Sequence, residues 1–253
     1  MINLPALNFY EKSLDVLRGK FPSQSHEKIG KVLNAMGMSH AQLGESRNAE
    51  ECFKASIEEL KICGYPNEIL ANIFENLSKL LVEEGNYHRA LDNIEEAIRL
   101  QESVQTNINA SRTVEIAGLH LQAGKIHHSL HELGKASSSY RQAANMLKGE
   151  DHPVVAQSLF NLALVYTKVN KLDDALQAHK QALHLKKLLF GSSHEEVADS
   201  LNHIGVVWAS KGNKGEALRI FKESLRTYRS AGYSESNKRY QNVAKNIALI
   251  ETS

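Results

Sequence analysis

The chain is short of cysteine, proline and net charge, and each shortage removes a class of protein. Only two cysteines, Cys52 and Cys63, occur in 253 residues. That is too few for a disulfide scaffold and fits a reducing compartment. Cys52 lies in a helical pattern and reads as a small core residue. Four prolines and fifteen glycines among many helix formers favour an all-helical chain. A formal charge of +1 supplies no long-range field to gather nucleic acid. The opening, MINLPALNFYEKSL, has no basic segment followed by a long apolar one, so no signal peptide is expected. The longest charge-free run, 154–167, carries Gln157, Ser158 and Asn161. It is too short and too polar to span a bilayer. The expectation is a cytoplasmic protein without nucleic-acid partners or membrane insertion.

The residues that are present repeat themselves. NLALVYTKVNKLDDALQAHKQA from Asn161 aligns with HIGVVWASKGNKGEALRIFKES from His203. Each has a small residue (Ala163, Gly205), an aromatic three further on (Tyr166, Trp208) and an alanine twelve further on (Ala175, Ala217). A larger residue follows that alanine by four, His179 or Phe221. The same frame recurs as Gly37, Ala49, Phe53; as Ser78, Ala90, Ile94; and as Gly124, Ala136, Tyr140. Two helices that cross closely need small residues at the crossing, with a large one beside it to fill space. Short polar turns between them force antiparallel pairs. This is the tetratricopeptide pattern of a helix A followed by a helix B.

Five full repeats are flanked by half repeats. ALNFYEKSL from Ala6 aligns with the helix B segment ALRIFKESL from Ala217, and NIAL from Asn246 aligns with the helix A segment NLAL from Asn161. The reading is one array over 1–253 with about twelve helices. It comprises an unpaired helix B (1–22), repeats at 23–64, 65–105, 106–149, 150–190 and 191–232, and a terminal helix A (233–253). The half repeats read either as caps or as the cut ends of a longer array, and the mid-repeat opening tilts toward the second. They also leave self-association through exposed terminal helices open. The polar insertion TNINASRT, 106–113, lengthens the step into the third repeat, where a change of curvature is expected.

A second repetition punctuates the first. GEDHPVVAQSL from Gly149 returns 42 residues later as GSSHEEVADSL, and PSQSHEKIG carries an earlier copy. Ser25, Asp151 and Ser193 are placed to cap the following helices, with Ser193 and Glu196 at capping-box spacing. His26, His152 and His194 then read as residues of the first turn.

The period near 42, eight longer than a basic tetratricopeptide unit, resembles the kinesin light chain type of repeat, as do the G-x-D-H-P-x-V-A, N-L-A-x-V-Y and Q-A-L segments. The match is best over 151–225. The resemblance implies a right-handed α-solenoid that binds cargo or adaptor peptides in a concave groove lined by helix A. It places Asn34, Met38, Glu75, Asn76, Lys79, Leu121, Gln122, Lys125, His128, Phe160, Asn161, Leu164, Thr167, Asn202, His203, Val206, Lys245 and Asn246 on the inner face.

Two features of that lining are informative. Asparagine recurs at 34, 76, 161, 202 and 246, although it is a mediocre helix former. Its amide can donate to and accept from a peptide backbone at once, or tie neighbouring helices together. Phe160 and Leu164, flanked by Leu121 and Val206, suggest an apolar pocket. Lys79 and Lys125 favour acidic residues in a ligand, against Glu75.

Sites of chemistry are not evident. No HExxH occurs, since His194 is followed by EEVA. Ser129 stands where a phosphate loop ending in Gly134-Lys135 would need glycine. His127 and His131 have metal-ligand spacing, but no carboxylate or thiolate joins them at a convincing offset. No catalytic residue, metal or cofactor is expected. The function expected is a scaffold or adaptor that binds an extended peptide. The alternative is a regulatory module of a larger signalling protein, binding intramolecularly.

Overall fold

The computed structural model describes residues 3–22, 25–103 and 110–252. Among them are twelve α-helices and no strand: α1 (Asn3–Lys20), α2 (Glu27–Gln42), α3 (Ser46–Ile62), α4 (Asn67–Glu83), α5 (Tyr87–Ser103), α6 (Ala110–Ser129), α7 (Leu133–Met146), α8 (Pro153–Lys168), α9 (Leu172–Phe190), α10 (Glu195–Ser210), α11 (Lys214–Ser230) and α12 (Lys238–Thr252). The all-helical expectation and the helix count hold. The first half of the insertion at 106–113 lies outside the described residues, and its second half belongs to α6, so the expected change of curvature is not described. The helices form two compact units, 1–112 and 113–253.

Each helix A ends in the same way. In all five A–B turns, the residue seven past the small residue is left-handed: Gly44, Gly85, His131, Asn170 and Gly212. The amide of the next residue reaches back to a carbonyl five positions earlier, as in Glu45 to His40 (2.9 Å), Glu132 to His127 (2.9 Å) and Asn213 to Trp208 (3.0 Å). This is a Schellman closure, which satisfies orphan carbonyls and turns the chain sharply. It needs a positive φ, which glycine adopts freely. Three repeats use glycine there; the third and fourth use histidine and asparagine.

The crossing of A on B follows a size rule within this one chain. A Cβ placed on Gly37, Gly124 or Gly205 would stand 2.7, 2.5 and 2.6 Å from ring atoms of Phe53, Tyr140 and Phe221. Those rings lie sixteen residues on and are 1% exposed. Where the helix B residue is smaller, helix A can carry a side chain: Ser78 stands with Ile94 and Ala163 with His179. The alanine of helix B at the crossing (Ala49, Ala90, Ala136, Ala175, Ala217) is fully buried in all five repeats. Serine hydroxyls bind the pairs further: Ser56 donates to the Gly30 carbonyl (2.6 Å) and Ser224 to the Ala198 carbonyl (2.7 Å).

The punctuating histidines correct the capping expectation. His26, His152 and His194 are themselves the N-caps, in extended backbone, and Ser25, Asp151 and Ser193 lie one residue outside. Each Nδ1 accepts the amide two residues on: Lys28 (3.1 Å), Val154 (3.2 Å) and Glu196 (3.2 Å). Nδ1 is bonded to Cγ, as an aspartate oxygen is, so it reaches an orphan amide equally well. An imidazole adds a flat face. Phe21 stacks on His26 (4.1 Å between centroids) and Phe190 on His194 (4.9 Å). The cap thus also pins the end of the preceding helix B. The Glu196 carboxylate takes another partner, described below, and forms no capping box with Ser193.

Candidate functional site

The second unit gathers an unusual set of side chains around Phe160. The ring is half-buried on α8. His203 of α10 meets it edge-on (5.0 Å, 87°), as does His179 of α9 (5.3 Å, 68°). The two imidazoles stack on each other at 5.8 Å and 20°. The ammonium of Lys186 sits 4.1 Å above the centre of Phe160. Lys186 is 2% exposed and donates to Glu196 at 2.7 Å.

A buried ammonium is tolerated only when paired, and this one has both a carboxylate and a π-face. Burial pushes the Glu196 carboxyl up, but the hydrogen bond and charge of Lys186, helped by Arg239 and His194, bring it below its ordinary range. His179 is 0% exposed, and neither ring nitrogen has a protein partner. Burial first, then His203 and Lys186, lower its pKa to about 3, so the ring is neutral. His203 is lowered mainly by burial; Asp199 opposes the shift and Lys186 reinforces it. Orphaned buried polar atoms cost about 1–3 kcal/mol each.

A basic recess of ≈ 490 Å³ lies among α6, α7 and α8, lined in part by Lys125, His128, His131, Asn161 and Lys168. Asn161 is 8% exposed; its Oδ1 accepts from Gln157 (3.2 Å) and its Nδ2 is buried without a partner. Lys168 Nζ donates to Nε2 of His128 at 2.7 Å. Lys125 is open to water, yet the protein walls around it lower its ammonium pKa.

The other expected groove residues divide. Asn246 Nδ2 donates to Oδ1 of Asn202 at 3.1 Å, so these two amides tie neighbouring helices. Leu164 and Val206 are half-buried, and Lys245 is exposed. Leu121 is buried among Tyr140, Leu162 and Val165. In the first unit Met38 and Lys79 are exposed, and Asn34 and Asn76 are half-buried. Asn34 Oδ1 has no partner, and Lys79 is held by Glu75 at 2.7 Å. His127 Nδ1 donates to the Glu132 carboxylate at 2.6 Å, and no group of three or more metal-ligating side chains occurs among the described residues. No described helix is long and apolar enough to cross a membrane.

Sequence reasoning missed Lys186, Glu196, His131 and Lys168 as site residues. For Lys186 a signal existed. Ala175, Ala178, His179, Ala182 and Lys186 share the buried face of α9 at helical spacing, and a lysine on such a stripe requires a buried partner.

The tetratricopeptide-repeat pattern matches residues 28–103 and 115–188 in one form and 197–231 in another. A kinesin light chain-related protein 1 of Arabidopsis thaliana is 26% identical over 162 residues, 62% of this chain. That match spans only 26% of the relative. Among solved structures, BtubC (BKLC) from P. vanneervenii superposes with a TM-score of 0.73 at 16% identity, over 94% of this chain and 95% of that one. YrrB, described as a TPR protein with an unusual peptide-binding site, gives 0.60 at 15% identity, over 92% and 97%. At these identities the structural likeness speaks for the fold alone. This chain, then, belongs to the tetratricopeptide-repeat family, and its repeats are similar to those of kinesin light chain-related proteins.

Proposed function

We propose that the chain is a protein-interaction scaffold whose second unit holds an extended segment of a partner protein along helices α8 and α10. The observation that carries this reading is the Phe160 cluster with its neighbour Asn161. A half-open aromatic ring, backed by a fixed ammonium, lies one residue from a buried amide donor that has no partner. An extended peptide offers what both lack: an apolar side chain for the ring and a carbonyl for Nδ2. Buried donors left unpaired are costly, so pairing one on binding contributes affinity and orientation. The solenoid likeness to YrrB agrees with a peptide ligand. The reading calls for no bond making or breaking.

Peptide display against the whole chain tests this. Segments selected by the native protein should lose tenfold or more in affinity on Phe160→Ala and on Asn161→Ala. If both variants keep full affinity for every selected segment, the groove reading is wrong.

A further inference from the structure

We propose that the recess among α6, α7 and α8 reads a phosphoryl group on the bound segment, a phosphorylated side chain. The inference rests on the groove reading and adds to it the chemical class of the ligand.

Four basic side chains converge there from three sources: Lys125 and His128 from α6, His131 from the A–B turn, and Lys168 from α8. No carboxylate lines the recess. Several lysines elsewhere have a carboxylate partner: Lys31 has Glu27, Lys54 has Glu50, Lys79 has Glu75, Lys135 has Glu132 and Lys211 has Asp173. Here one ammonium leans instead on an imidazole nitrogen, a pairing that leaves positive charge uncompensated. Burial, Lys168 and His131 all lower the pKa of His128, as expected for bases crowded without an anion.

Two further observations point to a ligand. Asn161 lines the wall and is more than nine-tenths buried, and its Nδ2 has no partner; of its two hydrogens, one remains for an oxyanion when the other meets a peptide carbonyl. His131 holds φ at 60°, a strained conformation that three of the other turns give to glycine. A bare turn would not need the imidazole; a binding wall would use it.

An oxyanion answers all of this. A carboxylate presents two oxygens in one plane. A phosphoryl group presents three in a cone and carries about −1.5 to −2 charges at neutral pH, which suits donors arriving from several sides. Ser129 is not among the free donors, since its hydroxyl donates to the Lys125 carbonyl.

The test uses the full chain. First, inorganic phosphate and acetate are titrated at matched ionic strength while the Asn161 side-chain amide is followed by NMR. Phosphate should shift it saturably and acetate should not. Second, peptide arrays carrying serine, glutamate or phosphoserine at one position are compared. Phosphoserine should be retained at least tenfold over both, and Lys168→Gln or Lys125→Gln should each reduce that preference about tenfold. Lys54→Gln, in the first unit, should leave it intact. The proposal is overturned if acetate moves the amide equally, if glutamate is retained as well as phosphoserine, or if neither lysine matters. The two readings fail separately. Unmodified segments held through Phe160 with no gain from phosphate would sink the phosphoryl inference alone. Phosphoserine held through Lys168 but indifferent to Phe160→Ala would sink the groove reading alone.

Discussion

The fourth and fifth repeats cross their helices at the same place and fill it with opposite chemistry. In the fifth, Gly205 leaves room for Phe221, and the ring is sealed among Ala198, Ala217, Tyr228, Tyr240 and Val243. In the fourth, Ala163 takes some of that room and His179 the rest, with both ring nitrogens unpaired beside His203 and Lys186. The repeat frame therefore constrains size at the crossing and leaves polarity free. The fifth repeat uses that position for stability. The fourth accepts a cost there, directly beneath the ring that we assign to ligand binding, as functional sites often do.

The largest effect should come from deleting the two rings in turn. Phe221→Ala removes a fully buried aromatic and leaves a cavity, at a cost of about 4 kcal/mol. His179→Ala removes a smaller ring and two orphaned atoms together, so about 2 kcal/mol is expected. Trp208 packs against the core cluster around Ala175 and Ile204 and the one around Phe221, and reports either loss by fluorescence in urea. Equal losses would mean that His179 packs as well as a hydrocarbon, and the contrast between the repeats would collapse.

Acid should separate the two crossings next. Folding holds His179 near a pKa of about 3, far below an exposed imidazole. The unfolded chain therefore binds more protons as pH falls below about 6.5, and stability declines from there until the folded ring itself titrates. One such group removes about 1 kcal/mol between pH 7 and 5.5. His203, lowered mainly by burial, and Glu196, held below its range by Lys186, act in the same direction. The pair Ala163→Gly with His179→Phe rebuilds the fifth repeat's crossing in the fourth. It should remove the share due to His179. Urea midpoints at pH 7 and 5.5 that fall equally in the native and double-variant proteins would show that the acid response lies elsewhere.

Much of this fold was legible in the sequence because close packing enforces periodicity. The Gly37, Gly124 and Gly205 positions can be found by counting, since each must face a ring sixteen residues on. The caps were legible only in part. The spacing revealed that His152 and His194 mark helix starts, but a rule favouring serine and aspartate gave the cap to Asp151 and Ser193. The imidazole's second role, stacking on Phe190, depends on where the preceding helix ends. The candidate site was half legible. Phe160, Asn161 and His203 stand out as helix A residues at inner positions. Lys186 shows only as a lysine on the buried stripe of α9; its partners, a carboxylate ten residues away and a ring twenty-six residues back, cannot be read from that spacing. The asparagine series shows the limit of composition. Asn202 and Asn246 bond to each other, whereas the Asn161 Nδ2 remains free.

The smallest effect concerns the A–B turns, where the third repeat again departs from the fifth. Gly212 adopts its positive φ without strain; His131 does so with a Cβ pressed toward the backbone. His131→Gly removes about 1–2 kcal/mol of left-handed strain. It returns about 0.5–1 kcal/mol as chain entropy in the unfolded state, so a net gain near 0.5 kcal/mol is expected. Asparagine tolerates the left-handed region better, so Asn170→Gly should change stability by less. If His131 is retained for the recess it lines, the more stable variant should also hold phosphate more weakly in the NMR titration. A gain in stability with unaltered phosphate binding would reduce His131 to an accident of the turn, and would leave Lys125, His128, Lys168 and Asn161 to define the recess.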